Sequence, residues 1–247
     1  MQHQVRSINP HISVDCVVFG FDTLRLKVLL IEREYIGAHG KKIMDYKLPG
    51  DFINPREDLD RAAHRTLNEL TGLQDIYLRQ FAVFGDPGRI SRREDLKWLA
   101  DTTGMDIRRV VTTAYYALIS IPESNSDPVI KNNARWTCLE QVPELAFDHM
   151  KILKRGHEHL QITLRNEPIG FKLLPEKFTI RELQSLYEVI LGCRLDNRNF
   201  RKKVLKSRYL VPLAEKQSGV AHKPARFYRF DKHKYNNHKK EALGFNF

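Results

Sequence analysis

The sequence predicts a mixed α/β (α+β) chain of two modules, a strand-rich sandwich followed by a smaller helical domain. Three observations carry this. The 247 residues allow one large domain or two ordinary ones, at about 100–200 residues apiece. Runs of β-branched residues separated by turn signals fill the first half, whereas capped amphipathic stripes dominate the end. Charge divides the same way: residues 1–150 hold 19 Lys+Arg against 21 Asp+Glu, a balance of −2, and residues 151–247 hold 22 against 9, a balance of +13. The whole of the formal +11 therefore lies in the second part, as expected for a neutral domain joined to one that meets a polyanion.

Composition excludes several classes. With 42% hydrophobic and 29% charged residues the chain can bury a real core and is not disordered throughout. No apolar run approaches the roughly 18 residues of a membrane span, so no membrane partner is expected. The opening MQHQVRSINPHISVD has no apolar core of a secretory signal. Cys16, Cys138 and Cys193 are odd in number and lack CxxC spacing, which excludes a disulfide framework and a cysteine zinc site. A cytoplasmic protein is expected.

The elements follow in order. SVDCVVFGF and LRLKVLLIERE, within 13–34, read as two strands around Asp22-Thr23. Asp45–Ile53 reads as a strand broken at Pro49-Gly50. Leu59, Ala62, Ala63, Leu67 and Leu70 share one face of a helix over about Asp58–Leu70, stopped by Gly72. Strands are expected at 76–84, 110–121 and 134–139. Asp86–Asp106 reads as a polar insertion, partly helical at most, and Pro122–Asn133 as a loop. Ala146–Arg165 reads as a connecting helix, and the tail from Lys232 as loosely held. Domain boundaries are placed at 1–145, 146–167 for the linker helix, and 168–247.

In the last module, Thr179 and Glu182 form a capping box. Ile180, Leu183, Leu186, Tyr187, Ile190 and Leu191 make the apolar stripe behind it, and Gly192 closes the helix. Asp196 caps a second helix over 197–206. Phe200, Val204 and Leu205 are expected inside, which leaves Asn197, Arg198, Asn199, Arg201, Lys202, Lys203 and Lys206 for the other faces. Two short strands, 209–213 and 225–231, flank a Gly-containing loop with His222, Lys223 and Arg226 near its tip. Two helices joined by a tight turn and followed by a basic hairpin make a winged helix-turn-helix. Arg and Asn pair bidentately with guanine and adenine edges, and Lys and Arg meet phosphates. The candidate DNA-binding residues are these side chains with Thr179, and the expected partner is double-stranded operator DNA.

In the first module, Leu48–Leu73 (LPGDFINPREDLDRAAHRTLNELTGL) resembles the Nudix box, Gx5Ex7REUxEExGU with U aliphatic, which implies a Nudix α/β/α sandwich. Asp51 stands at the first Gly, Glu57 at the first Glu and Arg65 at the Arg. Thr66 and Leu70 replace two glutamates, and Glu69, Gly72 and Leu73 complete the pattern. Nudix hydrolases hold divalent metals on that carboxylate cluster, and hard cations need several anionic oxygens. With two of them gone, no catalytic residue, metal or cofactor is assigned, and the chain is not expected to be an enzyme. His149, His157 and His159 have no ligand spacing and are read as hinge or dimer contacts.

The two modules together resemble the Nudix-related transcriptional regulators. LAFDHMKIL, LLPEKFTIRELQSLYEVILG, LDNRNFRKKVL and KPARFYRF look like the family's linker and DNA-binding signatures, and FGDPGR like a pocket-side segment of its sensor. The resemblance implies a homodimeric repressor released from a palindromic operator by a small effector. The arabinose-responsive branch looks nearest, giving L-arabinose as the expected effector. The alternatives are an ADP-ribose-responsive regulator of NAD metabolism and an active pyrophosphohydrolase. Glu32, Tyr35, Lys42, Asp45, Lys47, Asp51, Asp86 and Arg89 are the candidate effector-binding residues, with Arg33 a further one.

Overall fold

The computed structural model describes residues 7–37, 40–121, 133–207, 209–219 and 223–237. The chain divides into two compact units, with the main break along the last third between Gly156 and His157.

The first unit is built on one sheet. β1 (Ile12–Phe21) and β2 (Leu26–Ile36) turn at Thr23, whose φ of 73° makes the tight reversal. β3 (Lys42–Lys47) and β4 (Gly50–Phe52) are separated at Pro49, as the sequence predicts. β5 (Arg79–Phe84), β6 (Val111–Ser120) and β7 (Ala134–Cys138) complete it. The order is β3-β2-β1-β6-β5, with β4 paired to β1 and β7 to β2.

α1 (Leu59–Thr71) follows the sequence reading closely: Asp58 accepts from the Arg61 N–H, and Gly72 ends the helix at φ 77°. α2 (Arg93–Thr103) and the connecting helix α3 (His149–Asn166) follow along the chain. Cys16 of β1 reaches the Ala63 carbonyl of α1, while a Cβ on Gly156 of α3 would meet Val17 at 3.3 Å. Neighbouring residues of a strand face opposite ways, so α1 and the start of α3 cover opposite faces of the sheet. That is why β1 is buried along almost its whole length.

β5 carries one extra residue: Gln80 pairs with Tyr115 and Ala82 with Ala114, leaving Phe81 between them. Such a bulge re-aims a side chain, and the Phe81 ring comes to the glycine surface of α3 at Gly156.

The second unit holds the helical pair. α4 (Ile180–Leu191) begins at the Thr179 capping box, with both reciprocal hydrogen bonds formed, and ends at Gly192 with φ 66°. α5 (Asn197–Lys206) begins at Asp196, which accepts from the Asn199 N–H. The turn between them is tied to α4: Gln184 donates to the Leu195 carbonyl, and Glu188 accepts from the Leu195 N–H at 2.8 Å. β8 (Leu210–Lys216) and β9 (Arg226–Phe230) form the wing, and Phe178 bridges to Tyr228 on its far side. Phe171 stacks on Phe230 with centroids 4.4 Å apart.

Three readings are corrected. Within Asp86–Asp106 the helical part is residues 93–103, and its buried Asp95 and Leu99 make it a wall of the domain rather than a polar insertion. Part of the tail is also helical: α6 (Lys232–Asn237) is held because Tyr235 packs on Tyr209 and Phe230. Leu205 is 46% exposed, because Phe200 and Val204 already fill the inward face of α5.

The capping box predicts the first test. Thr179→Ala should cost about 1 kcal/mol of stability, the usual worth of an N-cap. Urea denaturation should show a lower midpoint at unchanged slope.

Candidate functional site

A cavity of about 650 Å³ opens in the first unit. Phe52, Ile90, Leu99 and Val110, all buried, form its apolar wall with Trp98 and Phe147 packed against them. α2 supplies much of that wall, and a buried charge holds it in place. Asp95, in its first turn, accepts from the Arg33 Nη2 at 2.7 Å and from the Phe147 backbone N–H at 3.0 Å. Arg33 also holds Asp45 through Nε and Nη2. Its guanidinium lies 5.0 Å from the Phe147 ring centroid and 5.2 Å from those of Trp98 and Tyr35. Burial opposes the charge on Arg33, and the two carboxylates restore it. Phe147 adopts a φ of 55°, which a bulky residue rarely does.

The floor of the cavity is polar. Asp15, Lys47, Arg89 and His149 all line it and all are at most 7% exposed. Lys47 donates to the Gly50 carbonyl at 2.8 Å. Gly50 is required here, since a Cβ would strike the Asp15 carboxylate. His149 accepts at Nδ1 from the Leu48 N–H, which leaves its proton on Nε2, 3.4 Å from Asp15. Burial pushes the His149 pKa down, against the attraction of Asp15. Burial lowers the Lys47 pKa as well, opposed by Asp15 and Asp51. Burial alone would raise the Asp15 carboxyl, but His149 and Arg89 hold it below the usual range. Arg89 donates to Asp148 through Nε at 3.2 Å and Nη2 at 2.9 Å.

At the rim lies the box. Arg65 engages Glu57 through Nε and Nη2, Asp51 through Nη1 at 3.0 Å, and Glu69 through Nη1 at 3.1 Å. Its fourth partner is the Phe52 carbonyl at 2.8 Å. Glu57 also accepts from the Asn54 N–H, and its hydrogen bonds to Arg65 hold its carboxyl below the usual range. A divalent metal would need these oxygens free. One guanidinium gathers them instead, Thr66 is fully buried, and Leu70 lines the cavity where a carboxylate would stand. The residues present do not fit a Nudix metal cluster.

Of the expected effector residues, Glu32, Lys47, Asp51 and Arg89 line the cavity, as does Arg33. Asp45 stands behind Arg33 as its counter-ion, and Tyr35 lies over the same guanidinium. Lys42 pairs with Glu34 with its side chain 73% exposed, and Asp86 caps the Gly88 N–H and faces Lys151. Neither is among the lining residues. Sequence reasoning missed Asp15, Trp98, Phe147 and the inward role of His149.

On α5, Asn197, Arg198, Asn199, Arg201, Lys202 and Lys206 are exposed and Lys203 is half-buried. Lys223 and Arg226 are exposed at the wing, and His222 lies outside the described residues. Thr179 is corrected: it is 2% exposed, and its hydroxyl is spent inside the capping box. The face has the residue types for base edges and phosphates on one short helix.

Comparison with known proteins agrees with this division. The NUDIX domain model matches residues 9–156, and the model of the NrtR DNA-binding winged helix domain matches 170–230. A curated relative from Acinetobacter baylyi, the ADPR responsive transcriptional repressor NtrR, is 31% identical over 226 residues, covering 90% of this chain and 82% of its own length. The crystal structure of Shewanella oneidensis NrtR complexed with a 27mer DNA superposes with a TM-score of 0.70 at 27% identity, covering 91% of this chain and 95% of that one. A second crystal structure of S. oneidensis NrtR gives 0.66 at 28% identity, covering 89% and 94%. These findings give the arabinose branch no support, since the effector in the curated relative's name is ADPR. The chain belongs to the Nudix-related transcriptional regulators, as a Nudix domain followed by an NrtR-type DNA-binding winged helix.

Proposed function

We propose that the protein is a DNA-binding transcriptional repressor, acting as a homodimer on a palindromic operator, whose Nudix domain senses ADP-ribose or a closely related nucleotide. The observation that carries this is the pairing, in one chain, of a cavity that has an apolar wall and a charged floor with an exposed Asn/Arg/Lys face on a short helix. A volume of about 650 Å³ suits a ligand far larger than one pentose. The aromatic wall of Trp98 and Phe147 offers a surface to a planar base, and Lys47 and Arg89 offer charge to a diphosphate. The ADPR-responsive relative supports the same effector. We read the Nudix domain as a receptor without hydrolase activity, because Arg65 occupies the carboxylates that metal-assisted hydrolysis would use.

Operator binding is tested by fluorescence anisotropy on DNA from upstream of the protein's own and neighbouring genes. Arg198→Ala or Arg201→Ala should weaken binding by about 1–3 kcal/mol where the side chain reads a base, with an unchanged melting temperature. Wild-type affinity in both variants would remove α5 from the reading role.

The effector is tested in the same titration. ADP-ribose should release the operator and raise the melting temperature, by about 2.7 kcal/mol of stability at a hundredfold excess over Kd. L-arabinose should do neither. ADP-ribose incubated with the protein and Mn²⁺ should yield no AMP. Release by arabinose alone would return the effector to the sugar class, and steady AMP production lost in Glu69→Gln would restore the hydrolase.

A further inference from the structure

We infer that Arg89 is the residue that receives the effector's phosphate, and that Asp148, at the head of α3, is the carboxylate which that phosphate displaces. The inference rests on the nucleotide reading proposed above and adds how its anion is recognised and signalled.

The charges on the cavity favour its floor as the place for an anion. Glu32, Glu34 and Asp101 on the lining repel it, and Asp51 and Glu69 are already matched by Arg65. Arg33 gives Nε and Nη2 to Asp45 and Asp95, so with Nη1 alone left unpartnered it can offer an anion one nitrogen and not a fork. Two further cations, Lys47 and Arg89, line the floor with Asp15 and His149, and Arg89 Nη2 lies 3.5 Å from the Asp15 carboxylate. Lys47 is a point charge whose named hydrogen bonds go to the Leu48 and Gly50 carbonyls. Arg89 is a fork, and a fork takes a phosphate with two parallel bonds. Those bonds now go to Asp148, in the Nε and Nη2 geometry that a phosphate would use.

Asp148 is unusual in what it leaves undone. Its carbonyl accepts from the Ile152 N–H at 3.2 Å, which makes it the N-cap of α3. An aspartate there ordinarily caps the first-turn N–H groups with its carboxylate. Here both oxygens go to Arg89 instead. A phosphate on Arg89 would return Asp148 to its own helix. Its neighbours would feel the exchange: Phe147 is held at positive φ by Asp95, and His149 is tied to Asp15 and the Leu48 N–H. Three consecutive residues are thus fastened to the cavity, and the helix they start runs on past the break between the units. A ligand that binds better when Asp148 is released supplies the differential affinity that any effector needs.

Isothermal titration of the full chain separates the cases, using ADP-ribose, inorganic pyrophosphate and adenosine as probes. Asp148→Asn should bind ADP-ribose and pyrophosphate about tenfold more tightly than wild type, since the phosphate then competes only with the more distant Asp15, 3.5 Å from Arg89 Nη2. Arg89→Gln should lose about tenfold or more for both and keep its adenosine affinity. The opposite signs are the signature, because residues that merely support the fold would weaken binding together. If Arg89→Gln melts early, the tightening in Asp148→Asn still decides. Unchanged or weaker pyrophosphate binding in Asp148→Asn overturns the assignment, as does an equal loss for adenosine in a folded Arg89→Gln. A wild-type protein that binds pyrophosphate and not ADP-ribose refutes the effector reading alone, and the sign of Asp148→Asn on pyrophosphate then judges Arg89. Wild type binding neither overturns both.

Discussion

Arg33, Lys47 and Arg89 keep their cationic groups almost entirely out of water, and that cost organises the sensor domain. A buried ion missing its partner is destabilising by about 3–5 kcal/mol. Each cation therefore fixes whatever carries its partners. Arg33 fastens β2 to β3 through Asp45 and to α2 through Asp95. Arg89 fastens the loop after β5 to the head of α3 through Asp148. The walls of the cavity are elements distant in sequence, and paired charges hold several of them in register. Apolar packing by Phe52, Leu99 and Val110 then closes the space between them.

The same economy explains the box. The helix and loop that the family uses to present metal ligands are retained, with Asp58 and Gly72 capping α1 at both ends. What differs is the charge balance. With Thr66 and Leu70 in place of carboxylates, one resident guanidinium matches what remains, and Arg65 binds Glu57, Asp51 and Glu69 together.

Much of this was legible in the sequence, and the exceptions have a common cause. α1, α4 and α5 could be read because their caps and apolar stripes are local signals, with Asp58, Thr179 and Asp196 each accepting from its own helix. α2 could not, because its most buried residue is Asp95, whose partner Arg33 lies 62 positions away. Asp15 and His149 were hidden for the same reason: a carboxylate inside β1 and an imidazole at a helix head acquire their meaning only from each other. The winged-helix module, whose signals are short-range, was read nearly whole. Its errors were Thr179, already spent in the capping box, Leu205, left outside the face that Phe200 and Val204 fill, and the tail, which Tyr235 holds on Tyr209 and Phe230. Effector identity was the least legible feature, since no local pattern encodes a volume lined by segments scattered from Ile8 to His149.

The extra residue in β5 has a consequence for the molecule in a crowded solution. β5 ends the strand order, and an end strand offers its spare N–H and C=O groups as a template to any passing extended chain. Val83 on that strand is more than half exposed, which makes the offer stickier. The irregularity at Phe81 breaks the even comb of donors and acceptors and twists the strand away from a flat partner. The ladder gives up regular pairing at one step, and in return the sheet has a defined last strand, so copies of the chain are discouraged from growing onto one another edge to edge.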